Sequence, residues 1–337
     1  MSRPVLHTDT PWEELHSADP LFAALCQQIL PTYLHLCRWF GGKSGDILSV
    51  GIDERIYLQQ GFRHFHCLVL EVFFRESFAH HYFLPLAISQ DLPADIPESG
   101  KIVEVELPSG SYWLIDAIYD SGFHECLFQK LISGKPTESE QGRAQFQAFG
   151  DLPNPKPFVS RLLKAEQSNS TVVIHDRFFL KIFRRLFRDK NPDFEINEFL
   201  SSQEYFRNSP QLAGLMAWHT RAGYEISLGL MQHKVENQGD AWTWMLGELK
   251  NYFQKFPCLD LELDSLKVLD PMPVQDLPYP LLKQTGSGFF QHIEQLALRT
   301  AQMHIALARE RRNRDFVPIT YNSDFTVWLK NPSDLPV

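Results

Sequence analysis

The sequence predicts an α+β protein with three regions: a helix with an antiparallel sheet, a second antiparallel sheet, and a set of helices. Apolar residues at helical spacing come first, and strand-like runs of β-branched and aromatic residues follow them. Further strand-like runs then alternate with short helical patterns, and the last part of the chain becomes helical. At 337 residues the chain is too long for one ordinary core and suits two or three domains.

The N-terminal region is predicted to span residues 1–92. Its helix is indicated by apolar residues at three- and four-residue spacing, and three strands are predicted after it. The predicted strands cover residues 47–58, 65–74 and 81–88. The segment DLPADIPESG, residues 91–100, combines prolines, acids and a glycine as linkers do, so we place the first boundary there.

The second region, residues 93–236, is predicted to form a mostly antiparallel sheet with a helix packed against it. The third region, residues 237–337, is predicted to be helical. Its strongest signal is a single stripe of apolar residues at helical spacing between residues 289 and 308.

Bulk composition excludes several classes of protein. The net charge of -9 argues against non-specific nucleic-acid binding, and no apolar run approaches the roughly 20 residues that a membrane helix needs. Five cysteines without C-x-x-C spacing predict neither disulfides nor a zinc site, and we expect a cytoplasmic protein. His64, His66, His80 and His81 lack nearby Cys or acidic ligands, so no metal site is predicted.

Lys181 is the first candidate functional residue. In a strand FFLKIF, side chains alternate, so Phe179, Lys181 and Phe183 share one face. A covered ammonium needs a partner, because an unpaired buried charge is costly. The candidate partners are a carboxylate and a nucleotide phosphate.

A carboxylate is available in the helix that follows. Asn191 and Pro192 form a good helix start, and acids in the first turn suit the helix dipole. Glu195 or Glu198 could reach back to Lys181, as in the lysine–glutamate ion pair with which kinases hold ATP phosphates. Helical spacing alone does not choose between them.

The segment before this strand carries four small polar residues whose amides and hydroxyls could cradle a phosphate. It contains no glycine. These residues are Gln167, Ser168, Asn169 and Ser170.

Seven segments, in order along nearly the whole chain, resemble maltokinase. RWFGGK, the QSN loop and the NPD-E-I helix start are specific to that family rather than general to kinases. The segments are RWFGGKS at 38–44, YFLPLAI at 82–88, AEQSNSTVV at 165–173, LKIFRRL at 180–186, NPDFEINEFL at 191–200, ENQGDAW at 236–242 and LALRTAQMHIALA at 296–308.

The resemblance implies an N-terminal cap on a kinase-like N-lobe sheet, followed by part of an α-helical C-lobe. It implies transfer of the γ-phosphate of ATP to maltose, giving maltose 1-phosphate for α-glucan synthesis from trehalose. The residues from Gln167 to Ser170 would then form the phosphate loop, Lys181 the phosphate lysine and Glu195 its partner. The hinge facing adenine would be His233, Lys234, Val235 and Glu236.

The sequence departs from the family in one respect. Family members continue to an HGDxHxxQ catalytic loop and a DFEGEP-like metal site, and the sequence contains neither. We therefore predict no catalytic residue and no Mg²⁺ ligand in this chain, although the family uses Mg²⁺. The expectation is a truncated or split maltokinase that is nearly inactive alone.

Two alternatives stay open. The chain could be a non-catalytic module that docks on trehalose synthase or a related glucan enzyme, or its C-terminus could reflect an interrupted gene. The predicted partners are accordingly ATP, maltose, and either trehalose synthase or a separate C-lobe polypeptide.

Overall fold

The computed structural model describes residues 4–76, 78–92, 96–163, 168–203, 205–255, 273–276, 279, 283 and 287–318. They divide into two compact units. The first contains the described residues up to Ser201 together with Pro210–Lys234, and the second contains Ser202–Ser209 and the described residues from Val235 onward.

The first unit contains two sheets and four helices. Strands of the first sheet are β1 (Val5–His7), β2 (Ile47–Gln60), β3 (Arg63–Phe74), β4 (His80–Ser89), β5 (Lys101–Leu107), β6 (Gly110–Asp116) and β12 (Arg185–Leu186). Strands of the second are β7 (Thr137–Glu138), β8 (Gly142–Ala148), β9 (Ser160–Leu162), β10 (Asn169–Ile174), β11 (Phe178–Phe183), β13 (Leu212–Thr220) and β14 (Glu225–His233). The helices are α1 (Pro20–Ala24), α2 (Leu30–Leu36), α3 (Ser121–Ser133) and α4 (Pro192–Ser201).

The first sheet has the strand order β1-β5-β6-β4-β3-β2, and β12 adds to β4. Both faces of β3 and β4 are apolar and buried, because alternate side chains enter two different cores. Leu68 and Leu84 face α1 and α2, whereas Cys67 and Phe83 face the second sheet's core. The predicted helix and three predicted strands of this region are confirmed.

The second sheet is antiparallel throughout, with the order β7-β8-β13-β14-β11-β10-β9. Three residues, 175–177, join β10 to β11. His175 and Asp176 have φ values of 51° and 53°, and the Arg177 amide donates to the Ile174 carbonyl over 2.9 Å. Positive φ at both central residues is typical of a type I′ turn, and Arg177 is one extra residue between this turn and β11, because Ile174 pairs with Phe178. The same register places Thr171 opposite Lys181.

Helix α3 joins the two sheets into one core. Asp120 caps its first turn by accepting from the Gly122 amide, and Gly134 ends it with φ of 63°. Its Phe123, Leu127 and Phe128 pack in a single cluster with side chains of both sheets. The predicted boundary at residue 92 thus falls between β4 and β5, two strands of one sheet.

The second unit contains α5 (Ala241–Lys255) and α6 (Ser287–Ala308). The helix predicted from the stripe between 289 and 308 is confirmed as α6, but Leu296 and Ile305 on it are more than half exposed. The Tyr205 hydroxyl donates to the Ala306 carbonyl over 3.2 Å. In the part of the chain that the structure describes, no helix has both the length and the apolarity to cross a membrane.

Candidate functional site

The candidate site is centred on Lys181 in β11. Thr171 of β10 lies directly opposite it on one side and Leu230 of β14 on the other, and paired residues of antiparallel strands share a sheet face. Phe179 shares this face, as the alternation predicts, and is partly buried. The Lys181 side chain is 25% exposed. The ammonium group is therefore buried enough to need a counter-charge and exposed enough to contact a ligand.

Helix α4 supplies the counter-charge. Its start follows the prediction: the Asn191 side chain accepts from the Asp193 amide over 2.9 Å, and Pro192 takes the first helical position. The ammonium of Lys181 lies 2.5 Å from Oδ2 of Asp193. The structure thus pairs Lys181 with Asp193, whereas the sequence analysis considered Glu195 and Glu198.

Helix geometry explains this difference. Residues two apart lie on nearly opposite sides of a helix, so Asp193 and Glu195 cannot both face the sheet. Asn197, four residues after Asp193, accepts a 2.6 Å hydrogen bond from Gln232 of β14, which shows that this side of α4 faces the sheet. Glu198 lies instead 3.7 Å from Lys190.

Glycine at position 229 permits β11 and β14 to come close beside Lys181. A Cβ there would lie 2.4 Å from the Lys181 carbonyl and 2.7 Å from the Met216 methyl group. Gly229 and Asp193 are residues that sequence reasoning missed. The pairing of β14 with β11 reveals the role of Gly229, and the position in the first turn of α4 reveals that of Asp193.

The predicted phosphate-loop residues do not form one group. Gln167 lies outside the described residues. Ser168 is exposed, and its hydroxyl accepts from the Asn169 amide group over 3.3 Å. Ser170 is buried and pairs with Ile182, so it faces away from Lys181, on the side of the shared core. Asn169 is on the Lys181 side by the same alternation.

The four predicted hinge residues span the boundary at which the first unit ends, after Lys234. The Lys234 amide donates to the Arg177 carbonyl over 2.7 Å, and its ammonium lies 2.9 Å from Asp176 in the β10–β11 turn. The ring centroid of His233 lies 5.1 Å from that of Phe178. Val235 and Glu236 belong to the second unit, where the Val235 carbonyl accepts from the Asn237 side chain. In the first unit, therefore, the hinge is tied to the β10–β11 hairpin.

The residues around Lys181 do not fit a metal site. In the described ranges, no three His, Cys, Asp or Glu side chains come together in an arrangement that could hold a metal ion. The carboxylate of Asp193 is engaged by Lys181.

A buried ion pair joins the two sheets close to this site. Arg184, three residues after Lys181, pairs with Asp116 at the end of β6, and both side chains are at most 1% exposed. Burial alone would lower the pKa of Arg184, but the charge and hydrogen bonds of Asp116 raise it above its ordinary value. Arg184 is therefore positively charged, and its pairing with Asp116 connects the first sheet to the strand of Lys181.

The fold and site define an α+β protein in which a helix-covered first sheet shares a core with an antiparallel second sheet, and the second sheet carries a lysine paired with a carboxylate of the next helix. Residues 33–120 match the family model of the maltokinase N-terminal cap domain, which confirms the resemblance to maltokinase over this segment. The match covers the second half of α2 and the strands β2 to β6.

Solved structures of glucosamine kinase are also similar to the chain. One, in complex with glucosamine, ADP and inorganic phosphate, has 15% identity, a TM-score of 0.45, and coverage of 89% of this chain and 53% of that chain. Another, glucosamine kinase in crystal form A, has 16% identity, a TM-score of 0.42, and coverage of 77% of this chain and 45% of that chain. The chain spans about half the length of these structures.

Proposed function

We propose that the chain supplies the cap and the ATP-holding sheet of a maltokinase-type phosphotransferase. The reaction would transfer the γ-phosphate of ATP to the anomeric hydroxyl of maltose, giving ADP and maltose 1-phosphate. The observation that carries the proposal is the Lys181–Asp193 ion pair, a strand lysine held by the helix that follows it. The maltokinase cap match supports the family.

Each residue has a separate role in this proposal. The ammonium of Lys181 binds phosphate oxygens of ATP, and the carboxylate of Asp193 holds the lysine in place. Phe179 and Thr171 share its sheet face and pack beneath the nucleotide. Asn169, on the same side, contributes an amide group to the phosphates.

A thermal-shift experiment tests the nucleotide site. At a hundred times its Kd, ATP should stabilise the protein by about 2.7 kcal/mol, which corresponds to roughly 5–10 °C in Tm. Lys181→Ala should abolish this shift without unfolding the protein.

Lys101→Ala is the matched control. Lys101 is also a strand lysine in an ion pair, 2.9 Å from Glu98, with a side chain that is 22% exposed. The ATP shift should survive this substitution. Equal ATP shifts in both variants would contradict the phosphate role of Lys181 and favour the alternative, a non-catalytic module.

The acceptor is tested separately. Transfer of label from γ-labelled ATP to maltose would be measured with the chain alone and together with a polypeptide that carries a maltokinase HGDxHxxQ loop. We expect labelled maltose 1-phosphate only in the mixture, and none when Lys181→Ala replaces the wild-type chain. Label on glucosamine but not on maltose would contradict the proposed acceptor.

A further inference from the structure

The first unit contains a cavity with a volume of about 600 Å³, and of its described lining residues only Asn169 also belongs to the proposed nucleotide site. Its lining comes from the RWF motif of the cap, the start of α3, and strands β9 and β10. Ser170 and Ser160 line it and lie on the sheet face opposite Lys181. Volumes of this size are typical of small-molecule sites.

The wall contains an aromatic ring with hydroxyl groups around it. Trp39 lines the cavity, and on one side its ring is covered by the guanidinium of Arg184, 4.2 Å from the ring centre. Tyr119, Ser99 and Ser121 add hydroxyls to the lining. An aromatic ring can pack against the apolar face of a sugar ring, while hydroxyl groups of the protein form hydrogen bonds with the hydroxyl groups of the sugar.

Among the ionisable groups of the wall, Asp116 is paired and His124 is neutral. Asp116 is bound by Arg184 and also accepts from the Ile118 amide over 3.1 Å. Nε2 of His124 lies 2.8 Å from the Ile118 carbonyl and its Nδ1 lies 2.9 Å from the Ser160 hydroxyl. Burial lowers the pKa of His124 to about 4, so the ring is neutral at pH 7.

The two arginines of the wall do not form an anion site. The guanidinium of Arg161 lies 3.9 Å from Asp176, and strand alternation directs its side chain to the Lys181 face. Arg38 is exposed. One exposed guanidinium beside several hydroxyls favours a polar, uncharged ligand over a phosphate.

From this lining we infer that the cavity between the cap and the second sheet is a binding site for a neutral saccharide of one to a few sugar units. The site is distinct from the nucleotide site, because most of its lining belongs to the cap, to α3 and to the Ser170 face of the second sheet. Asn169 and Arg161 of the lining belong to the Lys181 face, so the two sites are neighbours. The ligand would contact Trp39 and Asp116, which hold Arg184, three residues from Lys181.

Isothermal titration without nucleotide tests this site, with maltose, maltotriose and inorganic phosphate as probes. Ser121→Trp places a bulky ring at the lining position where α3 begins, and Ser133→Trp places the same ring at the other end of α3, outside the cavity. Both serines are exposed, so both variants should fold, which circular dichroism would verify. We expect a saccharide to bind the wild type and Ser133→Trp equally, and Ser121→Trp to bind about ten-fold more weakly or not at all.

Several outcomes would overturn the inference. They are saccharide binding that Ser121→Trp leaves unchanged, binding of phosphate but neither saccharide, and no binding of any probe. Lys181→Ala separates this site from the proposed function, because it should retain saccharide binding while losing the ATP shift. If Lys181→Ala lost the saccharide as well, the two sites would not be independent and the inference would fail.

Discussion

The guanidinium of Arg184 lies 4.2 Å above the ring centre of Trp39. Trp39 belongs to the maltokinase-like RWFGGKS segment of the cap, whereas Arg184 follows the strand that carries Lys181. Cation–π contacts of desolvated pairs contribute about 2 kcal/mol, and Asp116 neutralises the same guanidinium. Two parts of the chain far apart in sequence thus meet at one buried cation.

Arg184→Met should destabilise the first unit by about 3–5 kcal/mol, because it leaves the buried Asp116 carboxylate without its partner. Urea unfolding followed by circular dichroism measures this loss. Arg188→Met is the control, since Arg188 is exposed and 3.9 Å from Glu71, and should cost less than about 1 kcal/mol. Replacing both members, as Arg184→Met with Asp116→Leu, should recover part of the loss, and an equally unstable double variant would argue against this explanation.

Asp193→Asn should weaken ATP binding about ten-fold, because Lys181 loses the charge that holds it. Glu195→Gln should change ATP binding less than two-fold, roughly, since residue 195 is on the other side of α4. Titration of each variant with ATP measures the difference. The reverse order would mean that Glu195 is the partner when nucleotide is bound, as the sequence analysis expected.

Gly229→Ala should destabilise the protein by about 1–3 kcal/mol and reduce the ATP shift, because the added methyl group meets the Lys181 carbonyl at 2.4 Å. Gly247→Ala provides the comparison. Gly247 is in α5 with open space around it, so alanine there should be neutral or stabilising by up to about 1 kcal/mol. Urea unfolding measures the stability of both variants, and thermal shift measures their response to ATP. A Gly229→Ala protein as stable as wild type would contradict the close approach of β11 and β14.

Stability should fall as the pH is lowered from 6.5 toward about 4. Burial lowers the pKa of His66 to about 3 and that of His124 to about 4, from 6.5. Above pH 6.5 both rings are neutral in the folded and unfolded states. Below it the unfolded state takes up protons that the folded state does not, which costs about 2 kcal/mol per ring at about pH 5.

Urea unfolding at several pH values measures this dependence. His124→Gln should flatten the curve by about half and lower stability at pH 7.5 through loss of its hydrogen bonds. A curve that kept its full slope in His124→Gln would exclude this histidine as a cause.

Much of the Lys181 neighbourhood follows from local sequence. Strand alternation predicts which residues share the face of Lys181, and Asn191 with Pro192 predicts where α4 begins. The identity of the lysine's partner depends on how α4 is rotated about its axis. Tertiary contacts such as Gln232 with Asn197 fix that rotation, and helical periodicity alone does not supply them.

The sheet face on which Ser170 lies depends on strand register, which local sequence does not determine. Its face follows from the register between β10 and β11, which depends on the three-residue connection 175–177 with positive φ at His175 and Asp176. Neither residue is glycine or asparagine, the residues that most often indicate a type I′ turn, so the sequence gives only a weak signal there. The shared core between the sheets was likewise not predictable, because both faces of β3 and β4 are apolar.

The core around α3 makes it difficult to divide this chain between its two sheets. Phe123, Leu127 and Phe128 of that helix pack against side chains of both sheets. Separating the sheets would therefore expose apolar surface on each half. A cap expressed without the second sheet should aggregate, and the reverse should hold as well. The two sheets should therefore be expressed and engineered as one piece.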